Sequence, residues 1–323
     1  MLPSVSLFAP LALLTALLSP VAALPQEASR PGGSATLQHK VVYDFNNTNY
    51  WLENIAVRSN GNLLVTLIQP TPDLYEIPPK TPSNTRLVQR FPGVTALLGI
   101  TEVAQDEFAI IGGNASFTTG PVPGTFKIFV YSFKTKKITN TVNLPDAVFL
   151  NGLSTFSVSP PVVLAGDAAL GQVYKVNLNT KVATIAAKDA SMDPVPGGQL
   201  VLGVNGVRYV APYLWYTNSN QNSLSRVKLT SAGVATGAYE LVASVQLPDD
   251  FTVDKKGEAW IAGNPLNTLF RRKPGQSAAV AVLGGPTESV FTSPTSAIFG
   301  RTNQDSNVLY VPDGAGKVTA VYC

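Results

Sequence analysis

A hairpin phrase occurs twice in this chain and limits its fold more than any other feature. Glu53-Asn54-Ile55-Ala56-Val57-Arg58-Ser59-Asn60-Gly61-Asn62-Leu63-Leu64-Val65 returns, in one register and without a gap, as Asp249-Asp250-Phe251-Thr252-Val253-Asp254-Lys255-Lys256-Gly257-Glu258-Ala259-Trp260-Ile261. Each copy runs from an acid through a short apolar strand and a polar, Gly-bearing turn into a second apolar strand. A repeated hairpin opened by an acid implies a repeat fold that aims equivalent positions at a common centre.

The repeat extends along the chain. An outer strand follows each hairpin, at residues 74–77, 127–131, 172–176, 223–227, 268–271 and 317–321. An inner strand precedes each of these, at residues 63–66, 108–111, 162–165, 214–217, 259–262 and 308–311. These runs are β-branched and aromatic, lie between Gly, Pro, Asn and Asp clusters, and recur every ~45 to 55 residues, the size of a four-stranded blade. No stretch of the mature chain carries the helical hydrophobic period. The expectation is an all-β protein, a six-bladed β-propeller with four-stranded antiparallel blades around a central channel. His39-Lys40-Val41-Val42-Tyr43-Asp44-Phe45 would supply the strand that closes the ring and protects its edges. The Pro-rich stretches 70–82, 120–124 and 193–198 read as loops, either surface connections or lids over one face.

The chain opens on an apolar run, Leu7 to Leu18, followed by Val21-Ala22-Ala23. That pattern reads as a signal peptide over residues 1–23, leaving one propeller domain over 24–323 and a secretory or secreted protein. The sequons at Asn46 and Asn114 fit that route as glycosylation sites. The single cysteine, Cys323, excludes an internal disulfide. With charged residues at 13% and a formal net charge of +3, there is no basic stripe for nucleic acid. After the leader no run is long enough for a membrane span. A small, apolar ligand is the expected partner.

The residues opening successive units are Glu53, Asn151, Asn205 and Asp249. Asn151-Gly152-Leu153, Asn205-Gly206-Val207 with Thr217-Asn218-Ser219, and Pro248-Asp249-Asp250 with Val253-Asp254, Gly257 and Trp260 follow in order. In these motifs the chain resembles the SMP-30/gluconolactonase/luciferin-regenerating propellers over nearly its whole mature length. The resemblance implies Glu53, Asn205 and Asp249 as ligands of a divalent ion, with Asn151 touching substrate or a metal-bound water. Two carboxylates and an amide oxygen suit Ca²⁺ or another hard cation. Two departures stand out: Gly152 follows Asn151 where the family has Asp, and Asp250 replaces the Gly of Pro-Asp-Gly. The alternative is that all four anchors only hydrogen-bond the strands around the channel.

A narrower resemblance rests on Trp51-Leu52-Glu53-Asn54-Ile55-Ala56-Val57-Arg58-Ser59-Asn60-Gly61-Asn62-Leu63-Leu64-Val65-Thr66 and the Asn205-Gly206-Val207 unit. This string is similar to that of fungal secreted propellers that include the hetero-Diels-Alderases of tropolone-sesquiterpenoid biosynthesis. The resemblance implies an enzyme needing no cofactor for cycloaddition, with a tropolone-derived quinone methide and a humulene-type sesquiterpene as substrates. Glu53 or Asp249 would assist dehydration as acid or base, and Asn151 and Asn205 would bind oxygens. Trp51, Phe149, Tyr209 and Phe251 would contact hydrocarbon, or else pack the core. A metal-dependent lactonohydrolase and a non-catalytic small-molecule-binding propeller stay open beside this reading.

Residue inventory removes other chemistries. The single histidine, His39, precedes the first blade, so serine and cysteine triads and His-rich zinc sites are excluded. Gly314-Ala315-Gly316-Lys317 imitates the end of a phosphate loop but lacks its first Gly and its Ser/Thr, and reads as a hairpin turn.

Overall fold

The computed structural model describes residues 37–197 and 202–323. The proposed leader and its cleavage point lie outside the described residues. Six four-stranded antiparallel sheets form the six blades of a β-propeller. The innermost strands, in chain order, are Trp51–Val57, Ala96–Ala104, Leu150–Val158, Val204–Val210, Pro248–Val253 and the short Ile298–Phe299. The strand His39–Asp44 lies outermost in the sixth blade, pairing antiparallel with Lys317–Tyr322 from His39↔Val321 to Asp44↔Lys317. The N-terminal strand therefore closes the ring on the C-terminal one, as expected.

The order of strands within a blade needs one correction. The runs read as inner strands, such as residues 63–66 within the strand Leu63–Gln69, are second from the axis, and the first strand of each hairpin is innermost. Those second strands are buried on both faces and read as continuous apolar runs, which is why they dominate the sequence. The outermost strands, such as Arg86–Arg90, are mostly exposed or half-buried and carry weaker patterns.

The core lies between adjacent blades. Phe251, Leu224 and Ile261 pack in one interblade cluster, and Ile55, Leu67 and Val318 in another. Each such fully buried side chain contributes about 1.5–3 kcal/mol relative to exposure. Near the axis the blades approach so closely that Gly152 has no room for a side chain. A Cβ there would sit 2.3 Å from the Asn205 carbonyl oxygen. That contact accounts for a glycine at position 152.

One irregularity shapes the channel. In each of the first five blades the inner strand slips by one residue against its neighbour: between Leu52 and Asn54, Leu97 and Ile100, Leu150 and Leu153, Val204 and Val207, and Pro248 and Phe251. These are β-bulges, each adding one residue to the inner strand and re-aiming the side chains beside it. The extra residues fall at Glu53, Leu98 and Gly99, Asn151 and Gly152, Asn205 and Gly206, and Asp249 and Asp250. A regular strand would alternate its side chains; the bulge lets two consecutive residues act near the axis.

The segments joining second to third strands lie on the face where the inner strands begin. They span residues 70–72, 168–171, 219–222, 264–267 and 313–316 in five blades, but 114–126 in the second. That insertion holds a small hairpin, Ala115–Ser116 against Gly120–Pro121. The Pro-rich stretch 120–124 is thus on the same face as the anchors. Within 70–82 the third strand Asp73–Ile77 intervenes, and the remainder, 78–82, turns at the opposite face. The stretch 193–198 is described only to residue 197. Gly314 and its neighbours form the hairpin turn between Val308–Pro312 and Lys317–Tyr322.

Candidate active site

The structure places Glu53, Asn151, Asn205 and Asp249 at equivalent bulge positions, all buried. Glu53 Oε2 accepts a 2.8 Å hydrogen bond from Trp51 Nε1, and Asn151 Nδ2 donates to Glu53 Oε1 at 3.4 Å. Asp249 Oδ2 accepts from Asn264 Nδ2 at 2.9 Å. Asn205 Nδ2 donates to Ser219 Oγ at 2.9 Å, and Ser219 passes the bond on to the Pro248 carbonyl at 2.7 Å. Asn205 Oδ1 is buried without a hydrogen-bond partner.

The two acids hold their protons tightly. Burial pushes the Glu53 carboxyl up to about 7, against the pull of the Trp51 and Asn151 donors, and the nearby Asp250 charge adds to the rise. Burial and the charge of Glu53 push Asp249 well above the usual carboxylate range, against the Asn264 amide. Two interacting buried carboxylates resist ionising together. Near neutral pH the pair therefore retains a proton and offers both an acid and a base.

Asp250 and Arg208 form a second polar layer that sequence reasoning missed. Asp250 Oδ2 accepts from Arg208 Nη2 at 2.5 Å, Asn54 Nδ2 at 2.8 Å and Ser296 Oγ at 3.1 Å, while Oδ1 takes the Phe251 N–H at 2.8 Å. Arg208 also donates to the Val207 carbonyl at 2.9 Å. Asp250 thereby ties the first, fourth, fifth and sixth blades together at the axis. The second acid of Pro248-Asp249-Asp250, where the propellers this chain resembles have Gly, was the available signal. Among the described residues no three His, Cys, Asp or Glu side chains cluster as a metal centre.

The aromatic expectations divide. Trp51 and Phe149 are half-buried against the same core cluster, on the face of the anchors. Phe149 packs on Phe126 at 6.0 Å between centroids. Phe251, fully buried, belongs to the interblade core. Tyr209 lies four residues along the strand from Asn205 and packs on Phe156 at 4.8 Å. The structure does not bring these last two rings to the acid pair. It brings instead Phe117, from the second-blade hairpin, to 4.6 Å from the Trp51 ring.

A cleft of about 650 Å³ lies apart from the anchors, between the turn at Asn60–Asn62 and the outer part of the sixth blade. Lys80 and Gln304 hydrogen-bond beside it. It holds none of the four anchors, and its lining lacks a comparable acid pair. Of the two sequons, Asn46 is exposed and Asn114 half-buried at the base of the hairpin.

The fold and this arrangement define a six-bladed β-propeller with a buried acid pair and supporting amides at its axis. Two curated relatives share its sequence along most of its length. A "Putative hetero-Diels-Alderase" from Phoma sp is 26% identical over 314 residues, covering 88% of this chain and 89% of that protein. The "Putative hetero-Diels-Alderase asR5" of Sarocladium schorii is 27% identical over 313 residues, covering 85% and 78%. Among solved structures, a luciferin-regenerating enzyme superposes with a TM-score of 0.63 at 13% identity, covering 89% of this chain and 95% of that one. The calcium-binding protein regucalcin from Agrobacterium tumefaciens does so with a TM-score of 0.58 at 16% identity, covering 89% and 95%. These structural likenesses establish the propeller fold. No protein-family model matches the chain.

Proposed function

We propose that this protein is a hetero-Diels-Alderase that joins a tropolone ortho-quinone methide to an alkene of a humulene-type sesquiterpene. The observation that carries this reading is the buried pair of acids, Glu53 and Asp249, with the Trp51 indole bonded to Glu53. The relatives' names support the reaction class.

In the first step Glu53 gives its proton to the hydroxyl of a hydroxymethyl tropolone. The C–O bond breaks, water leaves, and Asp249 takes the proton of the ring hydroxyl. The product is the quinone methide, and the proton count of the acid pair is unchanged. In the second step the exocyclic carbon and the ring oxygen add across the alkene, forming one C–C and one C–O bond and closing a dihydropyran. Holding both partners in one orientation contributes on the order of 7 kcal/mol or more. An amide donor to the carbonyl oxygen, the role this reading gives Asn151, lowers the acceptor orbital and favours inverse-electron-demand addition. The leading segment and the two sequons extend the proposal to a secretory protein.

The test is incubation of the purified protein with the hydroxymethyl tropolone and the terpene. Faster adduct formation and a single stereoisomer are expected. Adduct yield and stereochemistry equal to the protein-free control would remove the proposal.

A second reading has one observation in its favour. The unpartnered Asn205 Oδ1, with Glu53 and Asp249, supplies the hard oxygens that fit Ca²⁺. Such an ion would polarise an ester carbonyl when bound. Lactone hydrolysis abolished by chelator and restored by Ca²⁺, without adduct formation, would favour this lactonase reading.

A further inference from the structure

Phe117 stands out among the exposed large apolar side chains for its position. It occupies the turn of the hairpin Ala115–Pro121, at the tip of an insertion that replaces a connection of three or four residues in the other blades. Long insertions in otherwise tight repeats carry function more often than stability. The ring is 37% exposed, yet it is not loose: its centroid lies 4.6 Å from that of Trp51, with the planes inclined at 56°. The hairpin is anchored by Ser116 Oγ and Thr119 Oγ1 at 2.8 Å and by the Thr95 hydroxyl, which exchanges hydrogen bonds with Ala115.

The indole beneath is fixed from two other directions. Its N–H is committed to Glu53 Oε2 at 2.8 Å. Its six-membered ring lies against Gly314, where a Cβ would come within 2.6 Å of it, so only glycine lets the indole sit there. Phe117, Trp51 and the Glu53 carboxyl therefore form one continuous run from solvent to the acid. Inclined rings bound a corner rather than a closed stack, and aromatic faces favour offset or edge contact with another flat ring. The far end of the run provides the Glu53 carboxyl, a buried hydrogen-bonding group that suits an oxygen substituent on that ring.

We infer that Phe117 and Trp51 form a binding subsite for a planar conjugated ring bearing oxygen, with Phe117, supplied by the second-blade hairpin, as its specificity residue. This deepens the cycloaddition reading and rests on it only for the identity of the ring. Phe117 is a binding residue and takes no part in proton transfer.

The probe is tropolone itself, titrated into the whole protein by calorimetry, with thermal unfolding measured in parallel. Wild type is expected to bind saturably. Phe117→Ala should weaken binding at least tenfold with the melting temperature unchanged, and Phe117→Tyr should stay within threefold of wild type. Absence of saturable binding to wild type, or equal affinity in Phe117→Ala, would overturn the inference. Adduct formation is assayed separately. Tropolone binding lost in Phe117→Ala while wild type forms no adduct sinks the cycloaddition and keeps the subsite. Adduct formed equally by wild type and Phe117→Ala does the reverse.

Discussion

Trp51 and Glu53 are two residues apart on one strand, and the bulge between Leu52 and Asn54 lets the indole N–H reach the Glu53 carboxylate at 2.8 Å. A charged acceptor gains more from this bond than a neutral one, so the indole opposes the upward shift that burial imposes. The pair thereby sets the pH at which Glu53 can act as an acid.

Trp51→Phe keeps a ring and removes the donor. Glu53 should then hold its proton to higher pH, and the fall in cycloaddition rate above neutrality should move up by about one pH unit, the equivalent of one charge-assisted hydrogen bond. A pH–rate profile for both proteins checks this. Loss of rate without displacement of the limb would mean that the indole serves only packing.

Stability should fall as pH rises. A carboxyl whose folded pKa is raised from 4.5 to about 7 keeps its proton in the folded state after the unfolded chain has released it. Its contribution is complete below about 4.5 and is lost as pH rises through about 7, and Asp249 acts in the same direction. Melting temperatures from pH 5 to 8.5 should decline in the wild type and decline less in Glu53→Gln. Parallel curves for the two proteins would contradict the assignment.

Arg208→Met should destabilise strongly. It leaves Asp250, 1% exposed in its side chain, without its cation. Removing one partner of a buried ion pair costs about 3–5 kcal/mol. Asp250→Asn combined with Arg208→Met should recover part of that loss, because no buried charge remains. Urea unfolding of the three variants measures both effects. A double variant no more stable than the single one would argue that the arginine acts mainly through its bonds to backbone carbonyls.

Gly152→Ala should cost about 3 kcal/mol or more, as overpacking against backbone does. The new Cβ would lie 2.3 Å from the Asn205 carbonyl oxygen, so the third and fourth blades must separate. Because Asn151 and Asn205 flank this contact, activity should fall in the folded fraction as well. Unchanged urea stability would show that the inner strands yield more easily than their packing suggests.

Much of the ring was legible from local patterning. The repeated hairpin correctly marked Glu53 and Asp249 as equivalent positions: Ile55 pairs with Val65 as Phe251 pairs with Ile261, two residues after each acid. Phe251 and Tyr209 illustrate the limit. Both stand close in sequence to an anchor, but proximity along a strand does not reveal which face a side chain takes once a bulge intervenes. Phe117 was invisible for a different reason, since nothing local says where the tip of an insertion will land.

The sequence by itself determined the number of blades and the strand that closes them, because burial imposes a period on each strand that neighbouring residues alone can display. Only the tertiary structure decided the rest. The bulges depend on how each inner strand meets its neighbour. The Asn54 to Asp250 hydrogen bond joins residues 196 apart, and Arg208 and Ser296 reach the same carboxylate from two further blades. Those contacts exist because closing the ring brings inner strands from distant parts of the chain within hydrogen-bond reach of one axis.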